Sequence, residues 1–119
     1  MSDRSLVWSV IESFGTPLIE WPGGAAVLNA KEASYSLCLA AIAEGLNHFR
    51  LQLIDKSNQV VIDIYLDQDH AFTSGHCGAE ILSARSAAEK LALYMPEFRL
   101  KQADWEFYEE DPGEENDDA

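Results

Sequence analysis

The chain has two cysteines, no long apolar run and few basic residues, and each scarcity argues against a class of protein. Cys38 and Cys77 are too few and too far apart for a secreted disulfide framework. No segment approaches the roughly 18 apolar residues of a membrane span. The N-terminal sequence also lacks the uninterrupted apolar segment of a signal peptide. We therefore expect a cytoplasmic protein with free thiols and no membrane partner.

Basic residues are outnumbered by acidic residues, 8 to 21, which gives a formal net charge of −13. Residues 109–119 (EEDPGEENDDA) hold seven of these acids and no base, so the end of the chain carries about half of the imbalance. Such a surface repels nucleic-acid phosphates and attracts basic proteins. The composition predicts a basic protein partner and no direct binding of nucleic acid.

What the sequence does contain is enough apolar material for one core, because 47% of its 119 residues are hydrophobic. We expect a single α+β domain over residues 1–108, followed by a disordered acidic tail over residues 109–119. The predicted architecture is a mostly antiparallel sheet of three to five strands with two main helices.

Two helices are predicted from three- and four-residue spacing of apolar positions. The first runs to about Phe14 and ends at Gly15, and the piece at 18–21 reads as a connector or a short strand. The second begins between residues 79 and 86, with a possible capping box from Ser86 to Glu89, and ends at Met95 because Pro96 follows. Its predicted buried stripe is Ala84, Ala88, Leu91 and Met95.

Alternating apolar residues predict a hairpin whose strands lie at 49–54 and 60–66, joined by the polar turn DKSNQ. Residues 30–44 are ambiguous, since NAKE and the alanines favour a helix whereas SYSLCL alternates as a strand does. We favour the strand narrowly. A last strand, around WEFYEE, has Trp105 and Phe107 on one face.

Residues 67–80 (DQDHAFTSGHCGAE) concentrate most of the reactive side chains. Six could ligate a metal, but no paired Cys or His occurs at zinc-site spacing. Cys77 could be a nucleophile if a helix began after it and a histidine, His70, His76 or His48, served as base. The glycines lack the lysine of a phosphate loop. We predict a polar loop in which Asp67 and Asp69 cap backbone amides, with no catalytic residue, metal or cofactor.

The aromatic end of the ordered chain is the predicted partner-binding site. Tryptophan and tyrosine are frequent interface anchors, although core packing is their commoner fate, and here they adjoin the acidic run that would steer a basic partner. Trp105 is the favoured anchor. The predicted contact residues are Trp105, Phe107, Tyr108, Glu109, Glu110 and Asp111.

Three functions remain open. The first is a non-catalytic acidic protein that captures or inhibits a basic partner, in the manner of immunity or antagonist proteins. The second follows from the order helix, strands, helix, strand, which resembles the general plan of bacterial secretion chaperones and implies a homodimeric escort protein. The third is a small cysteine- or histidine-dependent enzyme or ligand binder using residues 67–80. Alternatively, the acid excess serves solubility alone.

Overall fold

The computed structural model describes residues 3–13, 25–30 and 32–108. A short 3-10 turn, Asp3–Ser5, leads into helix α1, Leu6–Glu12. The predicted end of this helix at Phe14 and Gly15, the piece at 18–21 and the acidic tail all lie outside the described residues. None of the described helices is long and apolar enough to cross a membrane.

Within the described residues, seven antiparallel strands form one sheet, in the order β6-β5-β4-β3-β2-β1-β7. The strands are β1 (Ala25–Asn29), β2 (Tyr35–Glu44), β3 (Asn47–Asp55), β4 (Val60–Leu66), β5 (Phe72–Cys77), β6 (Glu80–Ile81) and β7 (Asp104–Tyr108). The α+β class and the antiparallel sheet are confirmed, but the expected count of three to five strands was too low. The additional strands are short or polar, so their apolar alternation is weak.

The predicted hairpin is β3 and β4, and the narrow preference for a strand at 30–44 is confirmed by β2. Alternation explains both, because every second residue must be apolar to cover one face of a sheet. On β2 these residues are Leu37 and Leu39, and both are fully buried. The matching buried residues of the hairpin are Leu51, Leu53, Ile62, Ile64 and Leu66.

Helix α2, Ala84–Leu100, begins within the predicted range of residues 79–86, but its cap and its end differ from the prediction. Its N-cap is Ser83, whose hydroxyl accepts the Ser86 amide at 3.1 Å, so Ser86 is the donor and does not cap. The helix also continues through Pro96. It ends in a Schellman motif around left-handed Gln102 (φ 57°), where the Ala103 amide donates to the Phe98 carbonyl.

Both described helices pack on one face of the sheet, where the core lies. The buried residues of α2 are Ala87, Ala88, Leu91, Met95 and Phe98, and those of α1 are Val7, Trp8 and Ile11. The predicted stripe is therefore confirmed except at Ala84, which is half-buried. Burial of Met95 and Phe98 on either side of Pro96 explains why the proline does not end the helix, because tertiary packing outweighs the lost backbone hydrogen bond.

Turns that alternate along an antiparallel sheet lie at the same end of it. The β2–β3 turn at Gly45 and Leu46 and the β4–β5 turn over residues 67–71 are therefore neighbours, as the pairing of Phe49 with Leu66 shows. Gly45 has a φ of 61°, which suits glycine in this tight turn. The N-terminal 3-10 turn and helix α1 lie at this same end, because Arg4 reaches Asp67 and Trp8 stacks on His70.

Candidate functional site

The predicted contact residues lie on β7, which pairs with β1 through Leu28 opposite Trp105 and Ala26 opposite Phe107. Trp105 and Phe107 therefore share the helix-covered face, as the sequence predicts. Trp105 is half-buried against the core, whereas the Phe107 side chain is 54% exposed. Tyr108 ends the strand, and residues 109–111 lie outside the described part of the chain. Phe107 is thus more exposed than the favoured Trp105, and the partner contact of both stays a prediction.

Residues 67–80 do not form the predicted loop. Residues 72–77 are strand β5 and residues 80–81 are strand β6, with left-handed Gly78 (φ 60°) in the turn between them. Successive residues of a strand point to opposite faces, so His76 and Cys77 diverge. His76 lies opposite Asp63 in the sheet register, while Cys77 packs against the core. The adjacent histidine and cysteine cannot form a nucleophile and base pair.

No group of three or more His, Cys, Asp or Glu side chains converges well enough to hold a metal ion anywhere in residues 3–13, 25–30 and 32–108. The six potential ligands of residues 67–80 are instead divided among the β4–β5 turn, the two faces of β5, and strand β6, which holds Glu80. The expectation that the protein binds no metal stays a prediction.

Asp67 organises the β4–β5 turn, which agrees with its predicted capping role. Its Oδ1 accepts the backbone amides of Asp69 at 2.8 Å and Ala71 at 3.0 Å, and its Oδ2 accepts the Arg4 guanidinium at 3.0 Å. Desolvation opposes ionisation, but these two amides, the Arg4 charge and the nearby His48 hold the pKa of Asp67 below its usual range. Asp69 differs from the prediction, because its amide is the donor to the Asp67 carboxylate.

His70 packs the same turn against helix α1. Its backbone has a φ of 67°, and its ring stacks on that of Trp8 with centroids 4.3 Å apart. The Phe49 ring lies 5.2 Å away on a tilted plane. Burial lowers the pKa of His70, and the charges of nearby carboxylates only partly oppose that shift. Histidine therefore acts here as a packed aromatic residue that holds the turn in place.

A cleft of about 240 Å³ opens between the β2–β3 and β4–β5 turns. Its lining residues are Gly45, Leu46, His48, Asp67, Gln68 and Asp69. The Leu46 side chain is 85% exposed at this site. The Nδ1 atom of His48 is buried and has no hydrogen-bond partner within the described part of the chain. A buried polar atom without a partner costs about 1–3 kcal/mol.

The wall of this cleft is held by a contact that crosses β4. The Thr73 hydroxyl on β5 lies within hydrogen-bond distance of the Asn47 side-chain oxygen on β3 and of the Tyr65 carbonyl. Asn47 directly precedes His48, so this contact fixes the base of the β2–β3 turn relative to β5. The two turns that form the cleft are thus tied together by side chains as well as by the sheet.

A second cluster of charged residues lies on the face of the sheet opposite the helices. Asp63, only 5% exposed, is the sole buried charged residue of the described chain. Its Oδ1 and Oδ2 accept Nε and Nη2 of Arg50 at 2.9 and 2.6 Å. The Tyr65 ring centroid lies 5.2 Å from the guanidinium carbon, and His76 Nε2 lies 4.0 Å from Oδ2. This carboxylate is saturated by its own neighbours, so we interpret the cluster as structural.

The sequence predicted His48 and Asp67 only as members of a catalytic or capping pattern. It indicated no site role for Gly45, Leu46 or Gln68. Hairpin topology was the signal that could have found them. Two short turns separated by two consecutive strands must lie at one end of an antiparallel sheet, which brings EGLNH and DQDH together.

Comparison with protein-family models, with curated proteins and with solved structures found no match for this chain.

Proposed function

We propose that this protein is a non-catalytic acidic binding protein that captures a basic protein partner and so inhibits or holds it. The observation that carries the proposal is the surplus of exposed carboxylates that remains after the basic side chains have paired within the chain. Arg4, Arg50, Arg85 and Lys90 each lie within 4 Å of a carboxylate of their own molecule. Half of the eight basic residues are thus already compensated.

The charged residues are unevenly distributed along the described chain, which supports an oriented encounter with the partner. Residues 84–101, containing α2, carry four basic and two acidic residues. At the turn end of the sheet, Asp69 is exposed and an exposed Glu12 lies on the nearby helix α1, while the Asp67 charge there is paired with Arg4. An electric field with a negative pole at the turn end attracts a positive surface and orients it before contact.

A kinetic measurement on the full chain tests this function. The chain is immobilised, partners are captured from an extract of its native host at 50 mM salt, and the main partner is identified by mass spectrometry and purified. We expect a basic protein that binds in a fixed stoichiometry. Its association rate should fall at least about fivefold between 50 and 500 mM salt, because the Debye length shortens from over 10 Å to about 4 Å.

A variant that lacks residues 109–119 separates capture from mere solubility. This deletion removes seven acids without touching the described sheet. If the charge serves capture, the association rate falls while dissociation changes little. An association rate that ignores both salt and the deletion, or a captured partner that is itself acidic, would exclude electrostatic capture and leave the acid excess as a solubility feature.

A dimeric escort protein is the second candidate, and exposed apolar residues on α2 support it. Leu93 is 76% exposed and Leu100 is 83% exposed, and with exposed Pro96 they follow the spacing of one helix face. Such a stripe is typical of a helix that packs against another molecule. Light scattering tests this candidate: a dimer that the double substitution Leu93→Lys and Leu100→Lys converts to monomer would support it, and a monomeric wild-type chain would oppose it.

A further inference from the structure

The cleft between the two turns has the size and chemistry of a receptor for a single side chain. At about 240 Å³ it is smaller than a typical drug-sized pocket. This volume corresponds to roughly eight water molecules at about 30 Å³ each, which is enough for one long side chain.

The residues that line the cleft favour a positively charged side chain. Asp67 and Asp69 contribute carboxylates, and the residues that line the cleft include no lysine or arginine. The Asp67 oxygens already accept two backbone amides and Arg4, whereas Asp69 is exposed at the rim. The Asp67 charge is thus offset by Arg4, and a cation that enters the cleft meets a carboxylate at Asp69 that can approach it directly.

The other lining groups favour a guanidinium over an ammonium. A guanidinium is planar, donates in several directions and stacks on flat rings, while an ammonium is a compact and strongly hydrated charge. His48 offers a flat ring and an unpartnered nitrogen, and Leu46 offers an apolar wall for an aliphatic stem. Because Nδ1 is covered, the ring must turn about its Cβ–Cγ bond before that nitrogen can accept a hydrogen bond.

The molecule already holds one of its own arginines in this manner. Arg50 is bound by both oxygens of Asp63 and lies 5.2 Å from the centre of the Tyr65 ring. The cleft provides the same pair of groups, a carboxylate from Asp69 and an aromatic ring from His48, at a site open to solvent.

We propose that the cleft between the β2–β3 and β4–β5 turns binds an arginine side chain of the basic partner. This inference rests on the proposed function and names the contact by which the partner is recognised. The negative end of the molecule then brings the partner close, and insertion of one arginine fixes its orientation.

Backbone amide shifts of the full chain, measured by NMR, test the inference without a known partner. The probe is the pentapeptide acetyl-Gly-Ser-Arg-Ser-Gly-amide, compared with the same peptide carrying lysine or neutral citrulline. We expect the arginine peptide to shift the amides of Gly45, Leu46, His48, Gln68 and Asp69. Lysine should bind about threefold more weakly and citrulline not measurably, because only arginine combines charge with a planar donor set.

Three variants locate the contact. Asp69→Asn should weaken binding of the arginine peptide about fivefold, as expected for an accessible ion pair. His48→Phe retains a ring but removes the acceptor and should weaken it about threefold. Glu89→Gln, which removes one exposed charge from α2, is the matched control and should leave the affinity unchanged. Amide spectra of each variant show whether the fold is intact; if His48→Phe misfolds, Asp69→Asn decides alone.

Equal binding of arginine, lysine and citrulline peptides, equal weakening by Glu89→Gln, or absence of shifts at the cleft would each overturn the inference. These failures differ from failure of the proposed function. If a basic partner is captured with salt-dependent association but the cleft amides do not shift with the arginine peptide, only the arginine site is refuted. If the cleft amides shift with the arginine peptide but no basic partner is captured, the proposed function is refuted and a binding site for arginine remains.

Discussion

The buried pair formed by Arg50 and Asp63 leads to a prediction about the two partners' unequal importance. Removing the arginine should destabilise the fold more than neutralising the aspartate. The Asp63 side chain is 7% exposed, whereas that of Arg50 is 38% exposed. Loss of Arg50 therefore leaves a carboxylate that water can barely reach, while loss of the Asp63 charge leaves a guanidinium that water can partly hydrate.

The magnitudes follow from the two short hydrogen bonds. Arg50→Met removes both and leaves the carboxylate with only His76 at 4.0 Å, so we expect a loss of about 3 kcal/mol. Asp63→Asn retains the shape and one acceptor oxygen, and we expect a loss of about 1 kcal/mol. The double variant should be more stable than the sum of the single losses implies, by about 1–2 kcal/mol, because it leaves no unpaired charge behind.

Urea unfolding followed by tryptophan fluorescence measures these differences, provided that the slope of the transition is unchanged. Arg85→Met is the matched control, because Arg85 and Asp3 form an ion pair 3.6 Å long with side chains 65% and 55% exposed. It should change stability by less than about 1 kcal/mol. The reasoning is refuted if Arg50→Met is no more damaging than Asp63→Asn, or if the two losses simply add.

Three smaller tests address local features of the fold. Gly75→Ala should lower the stability of the fold by about 1–3 kcal/mol in thermal unfolding, because the new methyl group would lie 3.0 Å from the Phe72 ring and 3.2 Å from a carbonyl oxygen. Unchanged stability would mean that this part of the core is loosely packed. Ser83→Ala should cost about 1 kcal/mol and Ser86→Ala much less, and a reversed order in urea unfolding would contradict the observed cap. Because the pKa of His70 is lowered in the folded chain, the unfolded chain takes up a proton first, so the free energy of unfolding should fall as the pH drops below about 6.5 and level off below the folded pKa. His70→Asn should flatten this part of the curve of unfolding free energy against pH, and an unchanged curve would show that His70 does not cause the dependence.

Local pattern was enough to predict much of the sheet. Residues 49–66 alternate strongly on both sides of a polar turn, and this information lies within eighteen consecutive residues. Residues 35–39 alternate in the same way, so the narrow preference for a strand there was correct. The buried stripe of α2 was predictable for the same reason, since the spacing of Leu91 and Met95 matches one helix face.

Local sequence pattern did not predict the structure of segments whose contacts are with residues remote in the sequence. Strand β5 contains Thr73, Ser74 and Gly75, which read as a loop, yet its backbone is satisfied by pairing with β4. Strand β7 is placed beside β1, about eighty residues earlier, which no local signal indicates. Pro96 reads as a helix end, but burial of the residues around it keeps the helix intact.

The candidate site shows the same division. Asp67 was recognisable as a turn residue, because an aspartate that accepts amides two and four residues ahead is a local arrangement. The cleft was not recognisable, since it joins residues 45–48 to residues 67–69 across the end of the sheet.

Composition and short-range periodicity by themselves determined that this chain is acidic, α+β, and built around a central hairpin, because charge and alternation are properties of neighbouring residues. Tertiary structure alone decided that seven strands join one sheet, that His76 and Cys77 diverge, and that two turns enclose a cleft. These outcomes depend on backbone hydrogen bonds and packing between segments far apart in the chain, and such contacts leave no trace in local sequence.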